Sequence, residues 1–307
     1  MKAKRIAVVL NPVAGGGKGS KVWMILRPGL EALFQSIECR MSNRTEDVRV
    51  ATRTLLEAKP DVLLVIGGDG TLNQAVNGFM HKDRPLQKNA QLAYFNAGCG
   101  GDFARLFPPQ AITDFLSRMA NKVTQKSNIG KIAWDNGHYH YFINIASCGL
   151  SAYISQRTAQ SRWLKKLGGR LNYLGQSVLG LLHYRAKKVR ISIDNETAFD
   201  TPMLLLAACN GQYFGGKMHV APSADCADGL LDIVLFSNMG RFEALWKFPK
   251  IYWGKHIQDM KVYFRQAKHI RIEPLEEDCV DVEADGEYLM PLPAEIFLLE
   301  KPLEVIV

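Results

Sequence analysis

The chain has 307 residues, of which 47% are hydrophobic, and it carries a formal net charge of +8. This length and composition predict a globular protein of two domains. No segment approaches the roughly 18 apolar residues that a membrane-spanning helix needs, and the apolar run near the N-terminus is too short for a signal peptide. We therefore expect a cytoplasmic location without a transmembrane segment. Peripheral contact with the inner face of the membrane is compatible with this expectation.

The six cysteines never occur at C-x-x-C spacing, which argues against a zinc cluster or a disulfide framework. We expect buried thiols in a reducing compartment. Their positions are Cys39, Cys99, Cys148, Cys209, Cys226 and Cys279.

The charges are unevenly distributed. Arg157–Arg190 holds nine Lys or Arg and no acidic residue, whereas Glu273–Glu287 holds eight Asp or Glu and no basic residue. The basic segment includes Trp163, Tyr173 and Tyr184, a mixture that suits anionic lipid headgroups, although a packed helix with a solvated basic face explains it equally well. Nothing in it resembles a nucleic-acid reading motif, so we expect no nucleic-acid partner.

The first 122 residues alternate predicted strands and helices, which is typical of βαβ units and a parallel sheet. A glycine-rich loop and an apolar-periodic run follow the first strand. The predicted strands are 5–10, 37–41, 62–66 and 91–95, and the further helices are 46–58, 72–80 and 111–121.

The pattern changes after residue 123 and predicts a second, mainly antiparallel β domain over 123–294. Residues 131–146 have the pattern of a hairpin in which Asn136–Gly137 forms a type I′ turn. A helical region at 151–184 is inserted in this domain, and the apolar tail 295–307 is expected to pack back on the first domain. Further strands are predicted at 189–194, 203–209, 230–236, 269–273 and 279–284.

The glycine-rich stretch LNPVAGGGKGS, residues 10–20, follows a strand and opens a helix. It is no Walker A loop, because Pro12 and Gly19 replace the first glycine and the Ser/Thr, and Ser20 breaks the G-x-G-x-x-G spacing. A glycine loop at a helix N-terminus favours phosphate, but a tight βα turn accounts for the pattern equally well.

The stretch VLLVIGGDGTLNQAVNGF, residues 62–79, repeats this arrangement of strand, turn and helix. Its glycines allow close approach of a ligand, and Thr71 can cap the helix. Asp69 would repel a phosphate unless a cation lay between them, so the stretch predicts phosphate together with Mg²⁺. The alternative is that Asp69 only caps the turn.

The sequence GGDGT resembles the nucleotide-binding motif shared by diacylglycerol, sphingosine, ceramide and NAD kinases and phosphofructokinases. Further stretches resemble, in the correct order, the diacylglycerol kinase catalytic-domain family, including its bacterial lipid kinases. They are Asn11-Pro12 with Gly15, Ser42 before Asp47-Val48, GCGGDFARLF (98–107), FINIASCGLSA (142–152), NGQYFGGKMHVAPSADCADGLLDI (210–233) and VEADGEYL (282–289).

This resemblance implies a Mg²⁺-dependent lipid kinase that uses ATP, with the α/β plus antiparallel β fold of NAD and diacylglycerol kinases. Cys99 and Gly101 stand where the family signature has Thr and Asn, so a hydroxyl and an amide are missing there. The implied nucleotide-binding residues are Asn11, Pro12, Gly15, Ser42, Gly67, Gly68, Asp69, Gly70, Thr71, Asn73, Cys99 and Asp102.

The resemblance also implies catalytic and metal-binding residues. Glu287 is the implied proton acceptor. Asp285 is either an alternative proton acceptor or a partner of Glu287, and Asp69 is the implied catalytic residue at the nucleotide site. Without the resemblance, a solvated acidic turn would explain the D-G-E stretch.

A structural Mg²⁺ is implied at Asp228 and at the carbonyls of residues 225 and 230. The side chain of Asp225 is a further possible ligand, and Leu230 contributes only its carbonyl. The alternative for this stretch is a plain Asp-Gly turn.

The expected arrangement places ATP against the loops at 11–15, 67–73 and 98–102, with the lipid and Glu287 supplied by the second domain. Two other functions stay open. One is an NAD-kinase-like enzyme with a soluble acceptor, and the other is a nucleotide-binding regulator without catalysis. The lipid would be presented at a membrane surface, and the sequence leaves a homodimer open.

Overall fold

The computed structural model describes residues 5–42, 45–109, 111–160, 169–277 and 279–307. The chain divides into two compact units. Unit 1 comprises Met1–Ser127 and Lys301–Val307, and unit 2 comprises Asn128–Glu300.

The helices are α1 (Ala14–Leu33), α2 (Thr45–Glu57), α3 (Asp69–Phe79), α4 (Ile112–Asn121), α5 (Leu150–Gln160), α6 (Gly169–His183) and α7 (Arg241–Lys247), with short 3-10 helices at Phe103–Leu106, Phe248–Trp253 and Lys255–Gln258. The strands are β1 (Arg5–Leu10), β2 (Ser36–Met41), β3 (Val62–Gly67), β4 (Met80–His81), β5 (Arg84–Pro85), β6 (Gln91–Asn96), β7 (Gln125–Ser127), β8 (Gly130–Ala133), β9 (Tyr139–Phe142), β10 (Ile145–Gly149), β11 (Lys187–Ile193), β12 (Phe199–Cys209), β13 (Tyr213–Phe214), β14 (Met218–His219), β15 (Leu231–Ser237), β16 (Val262–Ala267), β17 (His269–Pro274), β18 (Val282–Ala284), β19 (Glu287–Tyr288), β20 (Ala294–Leu298) and β21 (Leu303–Ile306).

Unit 1 is built on a six-stranded sheet of order β2-β1-β3-β6-β21-β7. Its strands pair in parallel except β7, which is antiparallel to β21. Every residue of β3 is buried, since α1 and α3 pack against this central strand. The predicted parallel sheet is confirmed, and it brings the carboxyl ends of β1, β3 and β6 to one edge, where ligands bind in open α/β sheets.

Unit 2 contains a long antiparallel sheet of order β19-β18-β10-β12-β11-β17-β20-β8-β9, with β15 joined to β12 and β16 to β15. Alternate residues of β11 and β17 are buried, and they contribute Val189, Ile191, Ile270 and Ile272 to the core. This confirms the predicted antiparallel domain. The sheet places the acidic β18–β19 hairpin beside β10.

The hairpin of β8 and β9 forms as expected, but the predicted type I′ turn is wrong. Only Gly137 has a positive φ, of 82°, whereas a type I′ turn needs positive φ at Asn136 as well. The backbone amide of Trp134 instead donates to the carbonyl of His138 at 3.0 Å, and the amide of His138 donates to Oδ1 of Asn136 at 3.0 Å. The longer loop needs only one left-handed residue.

The expected aromatic and basic lipid surface at 157–190 is only partly within the described residues. Trp163 lies outside them, and the side chain of Tyr173 does too. Tyr184 is described and is buried, with its ring 5.4 Å from that of Tyr153. Tyr184 therefore belongs to the core, which corrects its assignment to a lipid-facing surface.

No disulfide joins the six cysteines, all of which lie in the described ranges, but the expectation that all are buried is wrong. Cys148, Cys209 and Cys226 are buried, whereas Cys99 and Cys279 are exposed. No helix in the described ranges is long and apolar enough to cross a bilayer.

Candidate functional site

The N-terminus of α3 presents backbone amides at the sheet edge. Gly68 precedes the helix in an extended conformation, and the amide of Leu72 donates to the carbonyl of Gly68 at 3.0 Å. The amides of Asp69, Gly70 and Thr71 lie in the first helical turn, where helix geometry provides no acceptor for them. Together with the helix dipole, they favour an anion such as a phosphate group.

Thr71 does not cap this helix, contrary to the prediction. The helix begins two residues earlier, and no side chain caps it. The Thr71 hydroxyl instead accepts a hydrogen bond of 3.2 Å from Nδ2 of Asn11. This bond ties the loop after β1 to the loop after β3, so it brings two predicted nucleotide-binding residues together.

The glycine loop after β1 turns through three consecutive left-handed residues, Gly15, Gly16 and Gly17. Gly15 also lies close to the loop after β6, because a Cβ built on it would be 2.3 Å from the carbonyl oxygen of Ala97. Only glycine satisfies both the positive φ and this close approach. The carbonyl of Pro12 accepts bonds from the amide and hydroxyl of Ser20, which close the loop.

The carboxylate of Asp69 joins α3 to the loop after β6. Its oxygens accept hydrogen bonds from the backbone amides of Gly101, at 2.8 Å, and Phe103, at 3.3 Å. Burial, followed by the neighbouring negative charge of Asp102, raises the pKa of Asp69 to about 6. Two carboxylates in such proximity favour a cation beside them, and the Arg105 guanidinium lies 3.8 Å from Asp102. Mg²⁺ with phosphate at this position stays a prediction.

Glycine at position 101 fits both the left-handed backbone and the crowding of this loop. Its φ is 63°, and a Cβ built on it would lie 2.2 Å from Nδ2 of Asn96. Asn96 itself accepts bonds from the amide of Gly98, at 2.9 Å, and the hydroxyl of Tyr94, at 3.2 Å. The Asn96 side chain therefore orders this loop, and a Cβ at position 101 would require its amide group to shift. Sequence reasoning missed Asn96, whose position directly after the buried β6 was the available signal.

The remaining predicted nucleotide residues differ in accessibility. Ser42 is buried at the end of β2, and its amide donates to the carbonyl of Leu10 at 2.8 Å. Asn73 is fully buried inside α3, where Asn77 donates to its backbone carbonyl at 2.9 Å. Cys99 is exposed on the loop after β6. Of these three, Cys99 is the residue that a ligand in solvent can reach.

The two predicted catalytic residues of the acidic hairpin in unit 2, Asp285 and Glu287, lie in different environments. Asp285 has a φ of 50°, and its carboxylate accepts bonds from the backbone amides of Ile143, Asn144 and Ile145 at 2.9, 3.0 and 2.9 Å. Glu287 begins β19 and is partly exposed. The carboxylate of Asp285 therefore holds the start of β10 in place, whereas the Glu287 side chain extends from the edge strand of the sheet.

Glu283 is a third acidic residue of this hairpin, and the sequence reasoning missed it. It is fully buried opposite Ser147 in the pairing of β10 with β18, and it accepts bonds from the hydroxyl of Ser147 and from the amide of Gly286, the latter at 2.9 Å. Burial raises its pKa to about 7. Its position inside the predicted strand 279–284, between the apolar Val282 and Ala284, was the only signal that the sequence offered.

The predicted metal loop follows β14 in unit 2. The carboxylates of Asp225 and Asp228 are exposed, and each accepts one bond through Oδ1, from the amides of Ala227 (2.9 Å) and Leu230 (2.8 Å). Neither Oδ2 atom takes a bond from a described residue, so hard oxygen donors remain for a cation. Within the described ranges, no three acidic, histidine or cysteine side chains cluster as a metal centre.

An apolar cavity lies inside unit 2, between α5, α6, β12 and the segment that begins with α7. Helix α5 also packs against β18 and β19, which carry the acidic hairpin. The cavity has the lining expected of a site for a hydrocarbon group. Lining residues include Leu150, Ile154, Leu181, Leu205, Ala244 and Ile251.

Models of known protein families match both units of the chain. The family model described as the diacylglycerol kinase catalytic domain matches residues 5–132, and the model described as the YegS C-terminal NAD kinase beta sandwich-like domain matches residues 144–307. A diacylglycerol kinase of Mycobacterium tuberculosis (strain ATCC 25618 / H37Rv) is 27% identical over 309 residues, covering 98% of this chain and 94% of the relative.

Two solved structures show the same fold. The crystal structure of a candidate diacylglycerol kinase from Bacillus anthracis str. Sterne has a TM-score of 0.77 at 26% identity, covering 100% of this chain and 98% of that chain. The crystal structure of an NAD kinase from Archaeoglobus fulgidus in complex with ATP has a TM-score of 0.52 at 14% identity, covering 99% and 93%. At that identity, the NAD kinase supports the fold alone.

Proposed function

Because the chain belongs to the diacylglycerol kinase catalytic-domain family, we propose that it transfers the γ-phosphoryl group of ATP to a hydroxyl of a lipid such as diacylglycerol. Family membership supports a nucleotide-binding phosphotransferase. The observation that carries the lipid assignment is the apolar cavity inside unit 2, which suits a hydrocarbon chain better than a soluble dinucleotide.

Unit 1 would hold ATP at the sheet edge. The first-turn amides of α3 and the loop at Gly15 favour the phosphate groups, because both supply backbone donors and no side chain caps α3. The exposed Cys99 follows Gly98, where a Cβ would lie 2.5 Å from the Cα of Gly68 in the loop after β3. The hydrogen bond from Asn11 to Thr71 fixes the spacing between the two phosphate-binding loops.

Mg²⁺ would be held at two places. Asp69 and Asp102 supply the negative charge for an ion that accompanies ATP, and such an ion neutralises the charge that develops on the transferred group. Asp228, with the carbonyls of Asp225 and Leu230, would hold a structural ion, which would neutralise two exposed carboxylates on one loop.

Glu287 would accept the proton of the lipid hydroxyl. It is partly exposed, so an acceptor can reach it, whereas the oxygens of Asp285 are already bonded to three backbone amides. We therefore assign Asp285 to positioning and Glu287 to proton transfer. General-base catalysis of this kind contributes on the order of 10² to 10⁴ in rate.

The lipid would be presented at a membrane surface on the cytoplasmic side. The test is to incubate the full chain with γ-labelled ATP, Mg²⁺ and mixed micelles containing diacylglycerol, ceramide or sphingosine, beside NAD and glycerol as soluble acceptors. Label is expected in a lipid product, and Glu287→Gln should lower this turnover at least about 100-fold. Transfer only to a soluble acceptor would refute the lipid assignment, and ATP binding without transfer to any acceptor would indicate a regulator.

A further inference from the structure

The outer face of residues 241–260 in unit 2 carries large apolar side chains in solvent. Trp246 is 85% exposed and Trp253 is 68% exposed, and Phe242 and Met260 are more than three-quarters exposed. We call these four residues the aromatic patch. Exposed apolar residues scattered singly are ordinary, but such a concentration within twenty residues marks an interaction surface.

Helical geometry explains how the segment exposes these residues while remaining packed. Phe242 and Trp246 are four residues apart in α7, so they share its outer face. Ala244 and Ile251 face inward, where they are buried in the core of unit 2. The segment thus has apolar residues on both its inner and its outer side. Those on the inner side are buried in the core, whereas those on the outer side face solvent.

The charges around the aromatic patch favour an anionic partner. The acidic residues of this segment, Glu243 and Asp259, are neutralised by Lys247, whose Nζ lies 2.7 and 2.6 Å from their carboxylates. Lys261 adds a further contact of 2.6 Å to Glu243. Lys250 is exposed and forms no ion pair with a described residue.

Lys255, which is also exposed and forms no ion pair with a described residue, extends this positive rim. Two copies of this surface would bring like charges together, which disfavours self-association. Tryptophan beside lysine is the combination that settles at a membrane interface, where the ring lies at the headgroup level and the cation meets anionic lipid.

We propose that the aromatic patch docks unit 2 on an anionic bilayer, with Trp246 and Trp253 inserted at the headgroup level and Lys250 and Lys255 on anionic headgroups. Docking on the bilayer does not depend on the proposed kinase activity, but the route of the lipid acceptor described next rests on it. Ala244, Phe248 and Ile251, which lie between the patch residues in sequence, line the apolar cavity. The same segment therefore separates bilayer from cavity, and a lipid acceptor can pass from one to the other with little exposure of its chains to water.

The test measures binding of the full chain to vesicles in the absence of ATP and acceptor, so it can succeed or fail independently of kinase activity. Vesicles of phosphatidylglycerol and phosphatidylcholine in equal parts are floated on a density gradient, and pure phosphatidylcholine vesicles serve as the neutral comparison. Trp246→Ser with Trp253→Ser should lower the partition coefficient roughly tenfold. Met24→Ser with Met41→Ser, at exposed apolar residues of unit 1, should leave it unchanged.

Lys250→Gln with Lys255→Gln should lower binding to the anionic vesicles about fivefold per lysine, with little effect on neutral vesicles. Lys88→Gln with Lys301→Gln removes the same charge from exposed positions in unit 1 and is the matched control. Thermal unfolding within about 2 °C of the parent checks that each variant is folded. Quenching of tryptophan fluorescence by brominated lipid should be strong in the parent and weak in the double tryptophan variant.

Unchanged vesicle binding by the folded double tryptophan variant would overturn the proposal. Sedimentation velocity tests the alternative that a second copy of this chain covers the aromatic patch. If the parent is a dimer and the double tryptophan variant is a monomer with undiminished vesicle binding, the aromatic patch is a contact between copies and the bilayer assignment is wrong.

Discussion

Replacing Glu283 with glutamine should raise the stability of the protein at alkaline pH. Glu283 is fully buried, and burial raises its pKa from 4.5 to about 7. The folded chain therefore retains a proton that the unfolded chain releases. The stability from this group is fully present below pH 4.5 and is lost as the pH rises through about 7. At about 1.4 kcal/mol per pKa unit, the loss amounts to roughly 3 kcal/mol.

Glutamine reproduces the protonated acid, because it keeps one oxygen for the amide of Gly286 and offers a donor toward the Ser147 hydroxyl. Urea unfolding of both proteins at pH 5 and pH 8 measures the effect. The free energy of unfolding of the parent should fall by on the order of 2 to 3 kcal/mol more than that of Glu283→Gln over this interval.

Glu300→Gln removes the same charge from an exposed position of unit 2 and should follow the parent at both pH values. If Glu283→Gln and the parent have parallel pH profiles, within about 0.5 kcal/mol, then Glu283 is ionised in the folded protein and the reasoning from burial is wrong. Destabilisation of the glutamine variant at pH 8 would refute it equally.

Three further predictions concern the loops of the proposed site. Gly15→Ala should weaken ATP binding at least about tenfold by calorimetry, because the new Cβ would collide with backbone atoms. Gly16 has a similar φ but open space around it, so Gly16→Ala should bind ATP almost normally. Equal losses in both variants would show that backbone strain, and not the collision, weakens binding. Asp285→Asn should lower the free energy of unfolding by roughly 2 to 4 kcal/mol, since an amide cannot accept from three backbone donors as a carboxylate does, and unchanged urea unfolding would contradict its positioning role. ATP should slow the labelling of Cys99 by maleimide but leave that of Cys279 unchanged, as followed by mass spectrometry; equal rates for Cys99 with and without ATP would place the nucleotide elsewhere.

Much of the fold could be predicted because its signals are local. The apolar run at 62–66 and the glycine turn after it predict a buried strand and the start of a helix, and both are confirmed at β3 and α3. The predicted start of this helix is wrong by three residues, because the helix begins at Asp69 rather than at residue 72. That shift of one turn explains why Thr71 bonds to Asn11 and does not act as a cap.

The sequence by itself determined the alternation of strands and helices, the two glycine-rich turns after β1 and β3, and the family, because periodicity and motif spacing are properties of neighbouring residues. Only the tertiary structure decided how the acidic residues are used. Asp285 bonds to amides 142, 141 and 140 residues away, and Glu283 is buried opposite Ser147, 136 residues away. The spacing of D-G-E is the same whether a carboxylate faces solvent or a distant backbone. Its pKa and its role depend on strand pairing, which brings these distant groups together.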